Sequence, residues 1–344
     1  MDDTPRTQRA FARAYGDGEL DRSEAATALE RYDELDAREQ DAADELVAET
    51  GDDGTEFLAE ADDDTVQRAV ADGGIDGYDR TKADLLADDS VDSAMVNRVD
   101  DRISELDGDP AERARDLIDD TDEAGVRLID DLDDGTLNRV FGDSDIDADD
   151  LARATRKYDA LDRDGDRAAQ FRRFLDDDEL RESWIETVGD TETTSGAIER
   201  TLRRIDAETG GDSSLRVEGF VTAREMNNQF PDDWNDPFAS GSVVTRLRTT
   251  GDEDFVRVHM RNNQNGRFLM RQSDIEGLSP EDIERKYSLS YTPTSVSDVE
   301  VPDGTRVNMG TVKANFGGDE GAKQFNLGRE LDDGQYTNRR PIED

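Results

Sequence analysis

DAETGGDSSLR, residues 206 to 216, is where this chain of 344 residues changes character. Before it, Ala, Leu, Arg, Glu and Asp dominate, and proline occurs only at Pro5 and Pro110. After it come six of the eight prolines, most of the Asn-rich turns and a series of β-branched alternations. A Gly/Ser/Asp stretch between two such compositions reads as a linker. The expected architecture is therefore multidomain. An all-α helical region fills 1–205, a linker fills 206–216, and an α+β domain with a mainly antiparallel sheet fills 217–344.

Upstream, SEAATALERYDELDAREQDAADELVAET (23–50) sets Ala25, Leu29, Tyr32, Leu35 and Ala42 at helical spacing, with Ser23 as the expected N-cap. A weak repeat follows. FLAEADDDTVQRAV (57–70) aligns with LIDDLDDGTLNRVF (128–141), each trailed by a Gly/Asp/Ile stretch (73–79 and 142–150). FLDDDELRESWI (174–185) reads as a looser third copy. In each, an apolar helix end meets an Asp-rich turn, and Thr65, Thr136 or Glu179 opens the next helix. Helical hairpins of this kind bury one face each and need their neighbours. The Asp clusters lack the Gly and Glu positions of an EF-hand, so no metal is expected there.

The formal net charge is −46. The first 210 residues hold 26 basic against 64 acidic residues, −38, and the remainder 16 against 24, −8. Such a chain repels itself unless counterions screen it, and the Debye length falls to about 3 Å at 1 M salt. The composition predicts a protein of a high-salt cytoplasm, with casual binding to nucleic acid or anionic membrane disfavoured. No apolar run is long enough to span a bilayer, and the N-terminus lacks signal-peptide character, so export would need another route. Cysteine is absent, which excludes disulfides and a thiol nucleophile.

Downstream, RVEGFVTARE, SVVTRLRTT, FVRVHM, RFLMR, SVSDVEV, RVNMGTV and KQFNL each suit a strand. SPEDIERKY opens with Ser279 as N-cap and Pro280 at the first helical position, and VPDGT (301–305) reads as a turn. The one histidine, His259, cannot supply a two-histidine acid–base pair. No GxxxxGK[ST], GxGxxG or GxSxG occurs. What remains is arginine, one glutamine and aromatic residues on strands, a set suited to a phosphorylated planar ligand. Arginine grips phosphate bidentately, aromatics stack on a ring, and a late Gln holds a ribose hydroxyl. Cleaving the glycosidic bond of NAD needs little proton chemistry, because nicotinamide leaves readily from a well-positioned ring.

The run FVRVH…GRFLMR…DIEGLSPEDIERKYSLSYTPTSVSDVEVPDGTRVNMGTV…NFGG…GAKQFNL…YTNRRPI resembles the C-terminal toxin domains of bacterial polymorphic toxins. It is similar to NAD glycohydrolases of the tuberculosis necrotising toxin type, which share the ADP-ribosyltransferase fold. The resemblance spans roughly 235–342, about a third of the chain. It implies NAD as substrate, no other cofactor, and a cognate immunity protein as partner. It implies Arg257 at the early-strand arginine position and Gln324 at the late Gln/Glu position, both catalytic. The chain departs from the pattern at 317–323, where GGDEGAK replaces a run of glycines. Arg267, Arg271, Tyr291 and Phe325 are the expected substrate-binding residues. Two alternatives stand beside this reading: a metal-free toxin ribonuclease with His259 as general base, and a non-enzymatic phage, virion or other structural protein whose helical half is the working part.

Overall fold

The computed structural model describes residues 6–17, 20–71, 75–87, 91–162, 165–211 and 213–342. Gly73, Gly74 and Asp212, read above as loop or linker, lie outside the described residues. The chain divides into two compact units, 1–144 and 145–344.

The first unit runs α1 (Arg6–Asp17), α2 (Arg22–Glu34), α3 (Ala37–Thr50), α4 (Asp52–Glu60), α5 (Asp63–Ala71), α6 (Gly77–Ala87), α7 (Ser93–Ser104), α8 (Asp109–Thr121), α9 (Glu123–Asp131) and α10 (Asp134–Gly142). The weak repeat proves to be a duplication of the whole unit. Each helix from α6 to α10 begins 71 or 72 residues after its counterpart in α1–α5. The side chains repeat with it. Arg31 donates to Leu58 O and Ala59 O and pairs with Asp63, while Arg102 donates to Ile129 O and Asp130 O and pairs with Asp134. In both copies an arginine satisfies the open carbonyls at the end of one helix and the first acid of the next. Gly54 and Gly125 repeat as well. A Cβ at either would lie about 3 Å from the backbone of Val47 or Ile118 in the preceding helix, so only glycine lets those helices meet so closely.

Capping follows Asp more than Ser. Asp21, not Ser23, caps α2 and forms a capping box with Glu24. Thr65 and Thr136 each receive their cap from the aspartate three residues earlier, Asp62 and Asp133.

The second unit opens with α11 (Ala148–Asp159), α12 (Asp166–Asp176), α13 (Arg181–Gly189) and α14 (Ser195–Thr209). These begin within two residues of 71 after α6–α9, so the helical period continues for four helices. FLDDDELRESWI joins α12 to α13 and sits out of phase with that period. It shares the turn chemistry of the first two copies, with Asp177 accepting from the Glu179 and Leu180 amides, but not their place in the repeat.

Eight strands follow. β1 (Leu215–Thr222), β2 (Val243–Thr249), β3 (Glu253–His259), β4 (Phe268–Leu269), β5 (Ser295–Val301), β6 (Arg306–Thr311), β7 (Lys323–Leu327) and β8 (Tyr336–Pro341) are joined by α15 (Ala223–Asn227), α16 (Gln272–Ile275) and α17 (Pro280–Lys286). One sheet has the order β1-β2-β6-β7-β4 and the other β3-β5-β8, with all pairs antiparallel. They are stitched together where Val256 and Met270 exchange both backbone bonds at 2.9 Å. Ser279 caps α17, Pro280 begins it, and Gly304 turns the β5–β6 connection at φ 74°, as the sequence indicates.

The expected linker at 206–216 is corrected by this structure. Residues 206–209 finish α14, and helices 148–209 belong with the sheets rather than with the preceding helices. The physical reason is burial. Trp184 is fully enclosed, with ring centroids 5.2 Å from Phe171, 5.1 Å from Phe174 and 4.6 Å from Phe220 of β1. Arg204 of α14 donates to Thr311 Oγ1 and Gly321 O at 2.7 Å. Glu208, almost wholly buried, pairs with Arg271 at 2.8 Å and with Lys323.

Two outcomes follow for stability. Residues 145–344 are expected to give a cooperative thermal transition and 211–344 none, because the shorter piece exposes the face that Trp184 and α14 cover. Trp184→Ala in the longer piece should cost about 3–5 kcal/mol by denaturant titration. In the first unit, Lys82 is buried between Asp79 (3.1 Å) and Asp100 (3.0 Å), and burial pushes the Asp79 carboxyl from 3.8 up to about 6, with Asp76 adding to the rise and Lys82 opposing it. A folded carboxyl raised in this way contributes stability below its unfolded pKa and loses it as pH rises through about 6. Residues 1–144 should therefore melt higher at pH 5 than at pH 7, and Asp79→Asn should flatten that difference in a pH series of melting curves.

Candidate functional site

A cleft of about 600 Å³ opens at the junction of the two sheets. Arg257 and Val258 of β3, Phe268 of β4, Met270 and Gln324 of β7 line it, with walls from the 233–237, 287–291 and 312–316 segments. Register explains the convergence. Gln324 lies opposite Gly310, and Phe238 occupies the space a Cβ there would take, which brings the 233–238 loop down onto β7. Asn227 clamps the loop through both amide atoms, to Phe238 O at 2.9 Å and Phe238 N at 3.1 Å. Lys313 and Asn315 hold Asp236 from the opposite wall, at 2.7 and 2.8 Å.

Arg257 is 8% exposed. Its Nε donates to Gln264 O at 3.1 Å and its Nη1 to Phe268 O at 3.3 Å, which leaves donors of the guanidinium for a ligand. Gly266 makes room for it, because a Cβ there would fall on the guanidinium itself. Gln324 Nε2 donates to Pro237 O at 2.7 Å. A carbonyl only accepts, so the amide orientation is set and Oε1 is the atom free to accept from a ligand. Trp234 and Phe316, 49% and 60% exposed, stand at the mouth. Phe316 holds φ 51°, a left-handed conformation costing about 1–2 kcal/mol for a non-glycine residue. Gly317 at φ 81° and Gly321 at φ 114° continue the turn, and Gly318 packs where a Cβ would meet the Arg285 carbonyl and the Ser288 backbone at 2.7 Å. The interrupted glycine run thus shapes the loop that carries Phe316. Tyr291 lines the same cleft, half-buried.

Three expected site residues lie elsewhere. His259 is fully buried, its Nδ1 2.7 Å from Met260 O and its Nε2 2.9 Å from Ser297 Oγ. The carbonyl requires a proton on Nδ1, and Nε2 meets a hydroxyl that can donate or accept, so both ring nitrogens are satisfied inside the protein. Burial lowers its pKa further, helped by Arg257 and Arg339 against the pull of the Met260 bond. A ring with both nitrogens engaged inside the protein cannot reach a substrate proton. Arg271 is spent on Glu208, on Glu253 (2.8 Å) and on Asp254 O (2.6 Å), stacked 4.2 Å over Phe255. Phe325 is fully buried, edge-on to Phe255 at 4.9 Å. Phe325 belongs to the core because β7 alternates: Lys323 and Phe325 lie on the side of Glu208 in α14 while Gln324 faces the cleft. Arg267 stands beside the mouth, 5.8 Å over Trp234 and 5.7 Å over Phe230. Trp234 and Phe316 were absent from the sequence expectations; their signal was an aromatic residue inside a polar, turn-forming stretch.

Of the lining side chains only Asp233 is acidic, in a chain with 88 acidic residues. Proton chemistry has few agents here, since burial pushes the Tyr287 phenol far above its ordinary range, with Asp274 adding to the rise. The arrangement offers a guanidinium, an amide oxygen and aromatic faces. It can bind an anionic group, a hydroxyl and a planar ring, and stabilise developing charge by position.

No known protein family, curated protein or solved structure matches the chain.

Gly266→Ala is expected to displace the Arg257 guanidinium, and a calorimetric titration with ADP, whose diphosphate a guanidinium would grip, should show binding at least about tenfold weaker than wild type for this variant and for Arg257→Ala. His259→Gln should leave that affinity unchanged while costing about 1–3 kcal/mol of stability for its broken buried bonds.

Proposed function

We propose that the 145–344 unit binds NAD in the 233–324 cleft and cleaves its glycosidic bond or transfers the ADP-ribose, acting as the effector of a polymorphic-toxin system. The observation that carries this reading is the convergence of Arg257 and Gln324. They lie 67 positions apart in the sequence and line one cleft whose mouth holds two exposed aromatic rings. Arg257 grips the diphosphate. Gln324 Oε1 accepts from a ribose hydroxyl as positive charge builds on the sugar. Trp234 or Phe316 stacks on a base, and the near-absence of carboxylates keeps the cleft hospitable to an anion. The helical modules act as the carrier, and an immunity protein would have to cover the cleft mouth.

Incubating residues 145–344 with NAD at high salt tests this. Free nicotinamide should accumulate, and Arg257→Ala and Gln324→Ala should each lower kcat/KM by about 10²–10³. Intact NAD with the folded wild-type unit sinks the reading.

A further inference from the structure

The two aromatic rings at the mouth of the 233–324 cleft are held in opposite ways. Trp234 is fixed. Its amide donates to Pro231 O at 2.9 Å, its ring stacks on Phe230 at 6.2 Å and 27°, and the Arg267 guanidinium lies 5.8 Å over it. Phe230 stacks in turn on Phe268 of β4 at 5.9 Å and 20°. Rings arranged in this way form a preformed platform for another ring.

Phe316 is the reverse. It is 60% exposed, and its ring makes no aromatic or cation contact among the described residues. Its backbone is left-handed, at φ 51°. Only four non-glycine residues of the described chain hold a positive φ, and a second of them, Ser288 at φ 49°, lines the same cleft. Strain gathered in this way at a ligand-binding segment is the mark of an element with two arrangements.

The segment that carries Phe316 is anchored on both sides and free between. Its base is closed where Val312 donates to Ala322 O at 2.8 Å and Gly321 to Val312 O at 3.2 Å, and Arg204 grips the same base through Thr311 Oγ1 and Gly321 O. Asn315 Nδ2 holds the leading leg to Asp236 O at 2.8 Å. The trailing leg is held to the end of α17, with Asp319 N donating to Arg285 O at 2.8 Å and Ser288 Oγ to Asp319 O at 3.0 Å. Gly318 is packed against Ser288. Only Phe316 and Gly317 remain between the anchors. Gly317, at φ 81°, has no atom within 4 Å of the place a Cβ would take. Phe316 also stands between two hollows. One is the cleft, and the other is a groove of about 260 Å³ lined by Glu284, Arg285 and Leu289 on the α17 side.

We infer that Phe316 is a gate. It swings about the 316–317 backbone, out of the space beside α17 and onto a ring that rests on Trp234, and so closes the cleft over its ligand. A two-residue hinge between fixed legs is enough to move one side chain. Closure holds the ligand longer and excludes water while positive charge builds on the sugar. The inference rests on the reading of this cleft as the NAD site and adds to it a division of labour, with Trp234 the fixed platform and Phe316 the moving cover.

The test uses the full chain in about 2 M KCl with ADP as the probe. The chain has no cysteine, so Phe316→Cys accepts a single bimane label, whose emission tryptophan quenches at short range. Of the two tryptophans, Trp184 is fully enclosed and Trp234 lines the mouth. ADP should dim the label in a saturable way, and adding Trp234→Phe should abolish the dimming. A second variant needs no label. In Phe316→Gly, which keeps the left-handed turn without strain, ADP should leave at least about tenfold faster, with association changed by no more than about twofold. Both rates are read by stopped-flow Trp234 fluorescence, and melting curves establish that each variant is folded. A label whose emission stays constant as ADP binds overturns the gate, and so does a wild-type dissociation rate in Phe316→Gly. In either case the bound ADP leaves the cleft reading standing. A folded wild-type chain that binds no ADP overturns both.

Discussion

One buried carboxylate organises the C-terminal unit. Glu208, in the last turn of α14, accepts from Arg271 and Lys323 while almost wholly out of water. Arg271 carries the tie onward to Glu253 and Asp254 at the start of β3, and Lys323 to Asp274 of α16 at 3.1 Å. A single acid thereby fastens a helix to both sheets at their junction. Removing one partner of such a cluster leaves uncompensated buried charge, worth about 3–5 kcal/mol. The cleft depends on it at one remove. Lys323 precedes Gln324, and the strand that turns Lys323 toward α14 necessarily turns Gln324 away from it, to where a ligand can be met.

That dependence explains what could and could not be read in advance. Strand and helix periods showed the α+β character, the Ser279 cap and the 301–305 turn, because those signals are local. Arg257 and Gln324 were also legible, as residue types with chemistry at opposite ends of a strand-rich stretch. Glu208 was not. It sits in DAETGGDSS, whose composition is that of a linker, and its burial is decided by partners 63 and 115 residues away. His259, Arg271 and Phe325 misled for the complementary reason. Their chemistry was apparent, but alternation gives two faces without saying which one a distant helix will cover.

The helical unit carries a similar lesson in its duplication. Lys82 and Asp100 of the second module occupy the positions of Phe11 and Leu29 in the first, 71 residues earlier. The same five-helix scaffold therefore closes around an aromatic ring in one copy and around an ion pair in the other, with Lys82 4.5 Å from the Tyr78 ring. Replacing a buried ion pair with well-packed apolar groups is often neutral or stabilising. The first module supplies the internal reference that a single-copy protein lacks.

Charge finally becomes informative by where it is missing. With 88 acidic side chains, any two carboxylates fall near each other somewhere, and no acidic pair stands out as a site. Exclusion of acid is a stronger signal against that background. It occurs in the lining of the 233–324 cleft, where Asp233 is the one acidic side chain. The cleft joins the Arg257 guanidinium to aromatic rings, and Trp234, which lines it, stacks outward from Phe230. A solvated acidic surface accounts for acids that face water. It does not account for a cleft lined by 19 residues of which Asp233 alone is acidic.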